Sequence, residues 1–143
     1  MRIYPTRVSR TRFYLVADPG LNTFMEVTVP SGVLWRIQAC YYLMKTQPII
    51  GDAKASILIT SPTSATAWEW DSGLAVGAGA FDYVYGTLGG GYYTNTIETS
   101  ESFSLPDLWL YPGYILTMGY YGETGDMELI AGRVTVDEQI LGY

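Results

Sequence analysis

The stretch that decides the fold is Val33-Leu34-Trp35-Arg36-Ile37-Gln38-Ala39-Cys40-Tyr41-Tyr42-Leu43. Its side chains alternate in character, and an alternation with a period of two is typical of a β-strand with one face in the core. A regular strand here predicts one face with Trp35, Ile37, Ala39 and Tyr41, and a second face with Arg36, Gln38, Cys40 and Tyr42. The alternation therefore predicts a strand, and not a helix, for residues 33–43.

Similar stretches on both sides of this strand extend the prediction to the whole chain. Further strands are predicted at 12–16, 24–29, 53–60, 68–70, 81–85, 97–105, 114–121 and 127–136. Turn residues such as Pro30-Ser31-Gly32 separate them, and the many glycines between 73 and 96 disfavour a helix there. About eight strands with turns at this spacing predict an all-β fold, an antiparallel β-sandwich that is jelly-roll-like.

The length of 143 residues suits one domain. Residues 1–22 are mixed in character and contain a Pro19-Gly20 turn signal, so we predict an extended N-terminal arm with one short strand. Residues 23–143 are predicted to form the single sandwich domain. No run of apolar residues is long enough for a secretory signal or a membrane helix, which leads us to expect synthesis in a reducing cytoplasm.

Charge and aromatic content point to protein partners. The formal net charge is −6, which disfavours a nucleic-acid partner, and only 15% of the residues are charged while 15% are aromatic. Four of the eight basic residues lie near the N-terminus, at Arg2, Arg7, Arg10 and Arg12. No Lys or Arg occurs between Lys54 and Arg133. The acids there either form a solvated surface or receive the basic arm of a neighbouring subunit.

Catalytic chemistry has little support in the sequence. There is no histidine, which removes the usual general base and the common zinc sites, and Cys40 is predicted to be a small core residue. Glu69 and Asp71 could form a glycosidase-like acid pair, but a solvent face with Trp68 and Trp70 turned inward explains them more simply. Likewise, a polar hairpin explains the acids Glu123, Asp126 and Glu128 better than a calcium site does. We therefore predict no enzyme activity, no cofactor and no metal.

Four segments resemble a pattern common in small structural proteins of tailed bacteriophages. The first is Leu105-Pro106-Asp107-Leu108-Trp109-Leu110-Tyr111-Pro112-Gly113-Tyr114-Ile115-Leu116. An acidic hairpin at 125–128 and a last strand ending in acids at 136–138 follow it, and upstream Val29-Pro30-Ser31-Gly32-Val33-Leu34-Trp35-Arg36-Ile37 forms the entry to the main strand. The resemblance covers about residues 27–138 and consists of turns and strands.

The resemblance implies a jelly-roll virion protein, often a capsid decoration or cement subunit and commonly a homotrimer. Its partners would be capsid or other virion proteins, on the outer surface of a head made in a host bacterium, without nucleic acid or membrane. The residues we predict to contact a partner are Arg2, Arg7, Arg10 and Arg12 in the arm, and Leu108, Trp109 and Tyr111 in the aromatic loop.

A second hypothesis keeps the jelly roll but changes its ligand. A component of the tail, the fibre or the head–tail junction would use a lectin-like groove to bind host glycans. Exposed aromatic rings would line that groove because they stack on sugar rings. The candidates are Trp68, Trp70, Tyr92 and Tyr93.

Overall fold

The structure is a computed structural model that describes residues 9–17, 19–20, 23–46, 54–71, 81–90, 93–95, 100–121 and 127–141. Every regular element in these ranges is a strand. The strands are β1 Ser9–Val16, β2 Met25–Thr28, β3 Val33–Thr46, β4 Lys54–Thr60, β5 Thr66–Asp71, β6 Phe81–Leu88, β7 Tyr93–Asn95, β8 Ser100–Leu105, β9 Trp109–Leu110, β10 Ile115–Tyr121 and β11 Met127–Ile140. Within the same ranges there is no helix long and apolar enough to cross a membrane.

Two sheets form a sandwich. Sheet A has the order β1-β11-β3-β6-β8-β7, with β9 paired to β3, and sheet B has the order β2-β10-β4-β5. Strands pair from the outside of the sequence inward: β1 with β11, β2 with β10, β3 with β6 and β4 with β5. This nesting is the winding of a jelly roll.

The predicted all-β sandwich with a jelly-roll-like arrangement is therefore confirmed. Eight of the described strands make the roll, and β7, β8 and β9 lie in the connection between β6 and β10. The pair β6–β8 is parallel, whereas the other strand pairs of the described residues are antiparallel. Alternation along one strand carries no information about its neighbour's direction, so the sequence did not indicate this pair.

The predicted faces of β3 are wrong beyond Ile37. Ile37 pairs with Val136 and Ala39 pairs with Thr135, which leaves Gln38 as an extra residue in β3. This β-bulge shifts the alternation by one position, and every later side chain changes face. As a result Cys40, Tyr42 and Met44 are buried in the core, while Ala39, Tyr41 and Leu43 point away from it.

Side chains from both sheets fill the space between them. The largest fully buried ones from sheet A include Trp35, Tyr42 and Phe103, and those from sheet B include Met25, Ile57 and Leu116. The Tyr42 hydroxyl donates to the carbonyl oxygen of Gly119 at 2.8 Å, which joins the two sheets through a buried hydrogen bond. Full burial also confirms Cys40 as a core residue and raises the pKa of its thiol to about 12.

The start of the described chain is an edge strand of sheet A. β1 pairs with β11 over its whole length, from Ser9 opposite Gln139 to Val16 opposite Gly132. It is longer than the strand that we predicted at 12–16. Arg2 and Arg7 of the predicted arm lie outside the described residues, and the domain boundary between 22 and 23 stays a prediction.

Candidate protein-contact surfaces

The side of sheet A that faces away from sheet B carries a group of exposed apolar and aromatic side chains. We call it the aromatic face and define it by Phe13, Leu15, Tyr41, Tyr83 and Tyr85. Leu15 is 84% exposed, Phe13 65% and Tyr85 45%. The Tyr41 and Tyr85 rings lie side by side on neighbouring strands, with their centroids 4.9 Å apart. Exposed apolar side chains that gather on one face of a sheet make that face a candidate for binding another molecule.

A shallow depression of about 300 Å³ opens on the aromatic face. Its lining is Leu15, Tyr41, Tyr85, Ala131, Gly132 and Arg133. Burial raises the pKa of the Tyr41 hydroxyl, and the nearby phenols of Tyr85 and Tyr83 raise it further. The hydroxyl therefore stays neutral. The Arg133 side chain is exposed at this depression. The depression therefore suits an apolar side chain that has a carboxylate nearby to pair with Arg133.

The two bulges of sheet A create this face. Gln38 turns Tyr41 outward, and Ile130 is an extra residue in β11, between Leu129 opposite Met44 and Ala131 opposite Leu43. After Ile130, the small Ala131 and the charged Arg133 point outward while Val134 points into the core. A regular strand pattern would have placed Tyr41 in the core, so sequence reasoning missed the face.

A buried carboxylate holds β1 to the sheet. Glu138 in β11 is 1% exposed and accepts hydrogen bonds from Trp35 Nε1 at 2.8 Å, Tyr14 Oη at 3.0 Å and Arg10 Nε at 2.8 Å. The Arg10 guanidinium also lies 2.6 Å from Oε1, and Arg12 Nη1 lies 3.6 Å from the same oxygen. Burial acts to raise the pKa of Glu138, but the hydrogen bonds from Trp35, Arg10 and Tyr14 outweigh it, and the pKa is lowered. The carboxylate stays charged and ties the edge strand to the core.

Sequence analysis also missed the burial of Glu138, because the sequence suggested only a strand that ends in acids. A signal was present in its spacing. Glu138 follows Val134 and Val136 at intervals of two, which places it on the buried face of β11. The indole N–H of a buried Trp35 requires an acceptor, and the register sets Glu138 opposite Trp35.

The structure brings Arg10 and Arg12, the described members of the arm group, to the same end of sheet A as the aromatic loop. Arg10 pairs with Glu138, Glu138 with Trp35, and Trp35 with Leu110 of β9, so one line across the sheet joins β1 to the aromatic loop. Arg10 and Arg12 are half-exposed and contact a carboxylate of their own chain.

The predicted contact residues of the aromatic loop are exposed. Leu108 is 38% exposed, Trp109 37% and Tyr111 60%. Arg36 of β3 holds this loop by donating from Nε and Nη2 to the two carboxylate oxygens of Asp107, at 2.7 and 2.9 Å. No observation here tests these contacts, and they stay predictions.

A second depression, of about 380 Å³, lies against sheet B. Its lining is Phe24, Ser56, Ile57, Leu58, Glu69, Trp70, Asp71 and Tyr120. The acids are exposed, whereas the Trp70 ring is only half-exposed and stacks on Phe103 with centroids 4.1 Å apart.

Trp68 and Trp70 both pack against the core, as the simpler explanation of β5 predicted. Tyr92 lies outside the described residues, and Tyr93 is described only through its backbone pairing in β7. In the described part of the chain no group of three or more His, Cys, Asp or Glu is placed to hold a metal ion. Two of the acids that the sequence analysis considered for calcium, Glu123 and Asp126, fall outside that part.

The chain was compared with family profiles, curated proteins and solved structures. No family profile and no curated protein matches the sequence. Among solved structures, the chain is similar to T=1 particles derived from infectious bursal virus, with 12% identity and a TM-score of 0.36 over 93% of this chain and 40% of that one. It is similar to the Gt strain of infectious bursal disease virus at 12% identity and a TM-score of 0.31, over 96% of this chain and 42% of that one. The chain spans about two fifths of the length of each of those chains.

Proposed function

We propose that this protein is a non-enzymatic structural subunit of a tailed-bacteriophage particle. In this proposal it is a decoration or cement subunit on the outer surface of the head, a homotrimer that stabilises the shell through protein contacts. The observation that carries the proposal is the aromatic face, where Leu15, Phe13 and Tyr85 are largely exposed next to a depression with a single cation at Arg133. A face of this kind is costly in water and is stabilised when another protein covers it.

A subunit that stabilises a shell needs a surface that binds the assembled shell, and it needs no active site. A subunit that binds the assembled shell, and not its free parts, stabilises the shell by about 2.7 kcal/mol when its free concentration is 100 times Kd. A trimer on a symmetric shell repeats the contact, so weak contacts add up to tight attachment. The two packed sheets supply a stiff support, because interiors at this density resist deformation.

Two measurements test the proposal. Light scattering of the full chain is expected to give three times the 15.8 kDa chain mass. Co-sedimentation with purified phage heads that lack this protein is expected to show binding, and Leu15→Glu combined with Tyr85→Glu should weaken it by about tenfold or more, because charges then replace the apolar contact. Thr28→Glu, at an exposed position of β2, is the matched control and should leave binding unchanged.

Failure would be visible in either measurement. A chain that stays monomeric at high concentration would refute the homotrimer. Full binding by the doubly substituted variant would refute the role of the aromatic face. A truncation that tests the arm should end at residue 8, because removal of residues 1–12 would also delete Arg10 and Arg12 from the Glu138 contact.

The glycan-binding alternative places the chain in the tail, the fibre or the head–tail junction. The depression on sheet B favours it, because Glu69 and Asp71 offer acceptors for sugar hydroxyls beside the Phe24 ring. A glycan array probed with the full chain tests this alternative. Binding that is lost in Asp71→Asn and kept in Leu15→Glu would favour it over the shell contact.

A further inference from the structure

In the part of the chain that the structure describes, no strand lies beside the outer edge of β1. β1 pairs with β11 over eight consecutive positions without a bulge, and among the described residues β11 is the strand that pairs with it. Exposed strand edges are usually blocked by a proline, a bulge or inward-pointing charged side chains, because free backbone groups there recruit another strand. Residues 9–16 contain no proline, and their inward charges are Arg10, which Glu138 neutralises, and Arg12. The edge therefore has the form of an acceptor for a strand that brings a carboxylate to Arg12.

The two faces of β1 specify different side chains in an added strand. On the outer side, Phe13 and Leu15 are exposed, which favours apolar neighbours. On the other side, Arg10 and Arg12 share the single carboxylate of Glu138.

The charge on that second side is unbalanced. Arg10 takes the close contacts with Glu138 at 2.6 and 2.8 Å, while the nearest Arg12 nitrogen lies at 3.6 Å. Arg12 is 45% exposed, and its guanidinium lies 5.5 Å from the centre of the Tyr14 ring. One positive charge is thus in excess at the edge and favours a carboxylate on the incoming strand.

We propose that β1 accepts an extended segment of a partner protein, which adds to sheet A as a strand with alternating apolar and acidic side chains. The apolar residues pack beside Phe13 and Leu15, and an acidic residue pairs with Arg12. This inference rests on the proposed function, and it names the chemistry of the shell-protein segment that the subunit binds. A second copy of the chain fits less well, because its own β1, residues 9–16, carries no acidic residue to pair with Arg12.

The test uses the full chain and two capped, fluorescein-labelled peptides of ten residues, one alternating Val with Glu and one alternating Val with Lys. Fluorescence anisotropy should show binding of the Val–Glu peptide at least about tenfold tighter than the Val–Lys peptide. Hydrogen exchange should slow at amides of residues 9–16 when the Val–Glu peptide is present. Arg12→Glu should reverse the preference, and Arg12→Gln, which adds no new charge beside Glu138, should abolish it.

Lys54→Glu is the matched control, because it makes the same charge change at a partly exposed cation of β4, in the other sheet and away from the edge. It should leave the preference intact. Equal binding of the two peptides, or the same reversal in Lys54→Glu, would overturn the proposal. So would binding that appears only after removal of residues 1–8, since the chain itself would then occupy the edge.

The two proposals fail separately. If Tyr85→Glu, which lies on β6 and leaves β1 unchanged, loses head binding while Arg12→Gln keeps both head binding and an unchanged peptide preference, strand addition is refuted and the structural role stands. Self-association of the full chain that Arg12→Gln strengthens would assign the edge to a second copy and refute the partner segment.

Discussion

Replacement of Glu138 by leucine tests whether the buried carboxylate stabilises the sandwich. Leucine has a similar size, so the main loss is that of the hydrogen bonds. Trp35 is 1% exposed, and its indole N–H would have no acceptor, which costs about 1–3 kcal/mol. Arg10 and Tyr14 are partly exposed and can bind water instead, so together they add about 1 kcal/mol. The free energy of unfolding should fall by about 2–4 kcal/mol.

Equilibrium urea unfolding followed by far-UV circular dichroism measures this loss without relying on the fluorescence of Trp35. A double-mutant cycle with Trp35→Phe isolates the hydrogen bond between the two side chains. In the Trp35→Phe background, Glu138→Leu should cost about 1–3 kcal/mol less, since no orphaned N–H remains. A coupling below about 0.5 kcal/mol would refute the reasoning, because the measured loss would then come from packing alone.

The same substitution predicts a pH dependence. The hydrogen bonds lower the pKa of Glu138 in the folded chain below its ordinary value near 4.5. A carboxyl of this kind contributes its full stabilisation above the unfolded pKa and loses it as the pH falls through the folded pKa. The difference in unfolding free energy between the native chain and Glu138→Leu should be constant from pH 7 to 5 and shrink in more acidic solution. A difference that grows below pH 4.5 would contradict the assigned direction.

Three further outcomes follow from buried and surface contacts. Gly86→Ala should lower the free energy of unfolding by about 1–3 kcal/mol, because a Cβ there would lie 2.4 Å from Phe103 Cζ; Thr87→Ala, exposed on the same strand, is the control for urea unfolding. Cys40 should resist iodoacetamide at pH 8 in the folded chain and react in urea, as mass spectrometry would show, because burial raises its pKa to about 12. Asp107→Asn should change the unfolding free energy by less than about 1 kcal/mol, since its ion pair lies at the surface; a larger loss would show that the loop depends on it.

The sequence was sufficient for the class of fold but not for the faces of its main strand. Alternation and turn residues located strands such as β4, predicted at 53–60 and observed at Lys54–Thr60. The same alternation failed at Gln38, because a bulge depends on the pairing with β11, which a single strand does not show. The aromatic face follows from that bulge, and it could not be predicted for the same reason.

The predicted contact residues show the same limit, because their neighbours also depend on pairing between distant strands. The sequence marked Arg10 and Arg12 as a basic group, and their charge suggested an external partner. The fold placed Glu138, which lies 128 positions after Arg10, beside them. The alternation along one strand relates residues that are two or four positions apart. It gives no information about a partner 128 positions away. The exposure of the aromatic loop could be predicted, because connecting segments almost always run over the surface, while its contacts with a partner stay predictions.

The nested pairing of the strands has a consequence for synthesis on the ribosome. β1 and β2 take their partners from β11 and β10, so the first strands to leave the exit tunnel are the last to be paired. At about 5–20 residues per second, the gap of 128 positions between Arg10 and Glu138 corresponds to a wait of roughly 6–26 s. Throughout that time the unpaired backbone of β1, with Tyr14 and Val16 that pack against the core in the folded chain, is open to other nascent chains on the same messenger. Translation speed and chaperone supply, rather than final stability, should therefore set the yield of correctly wound protein.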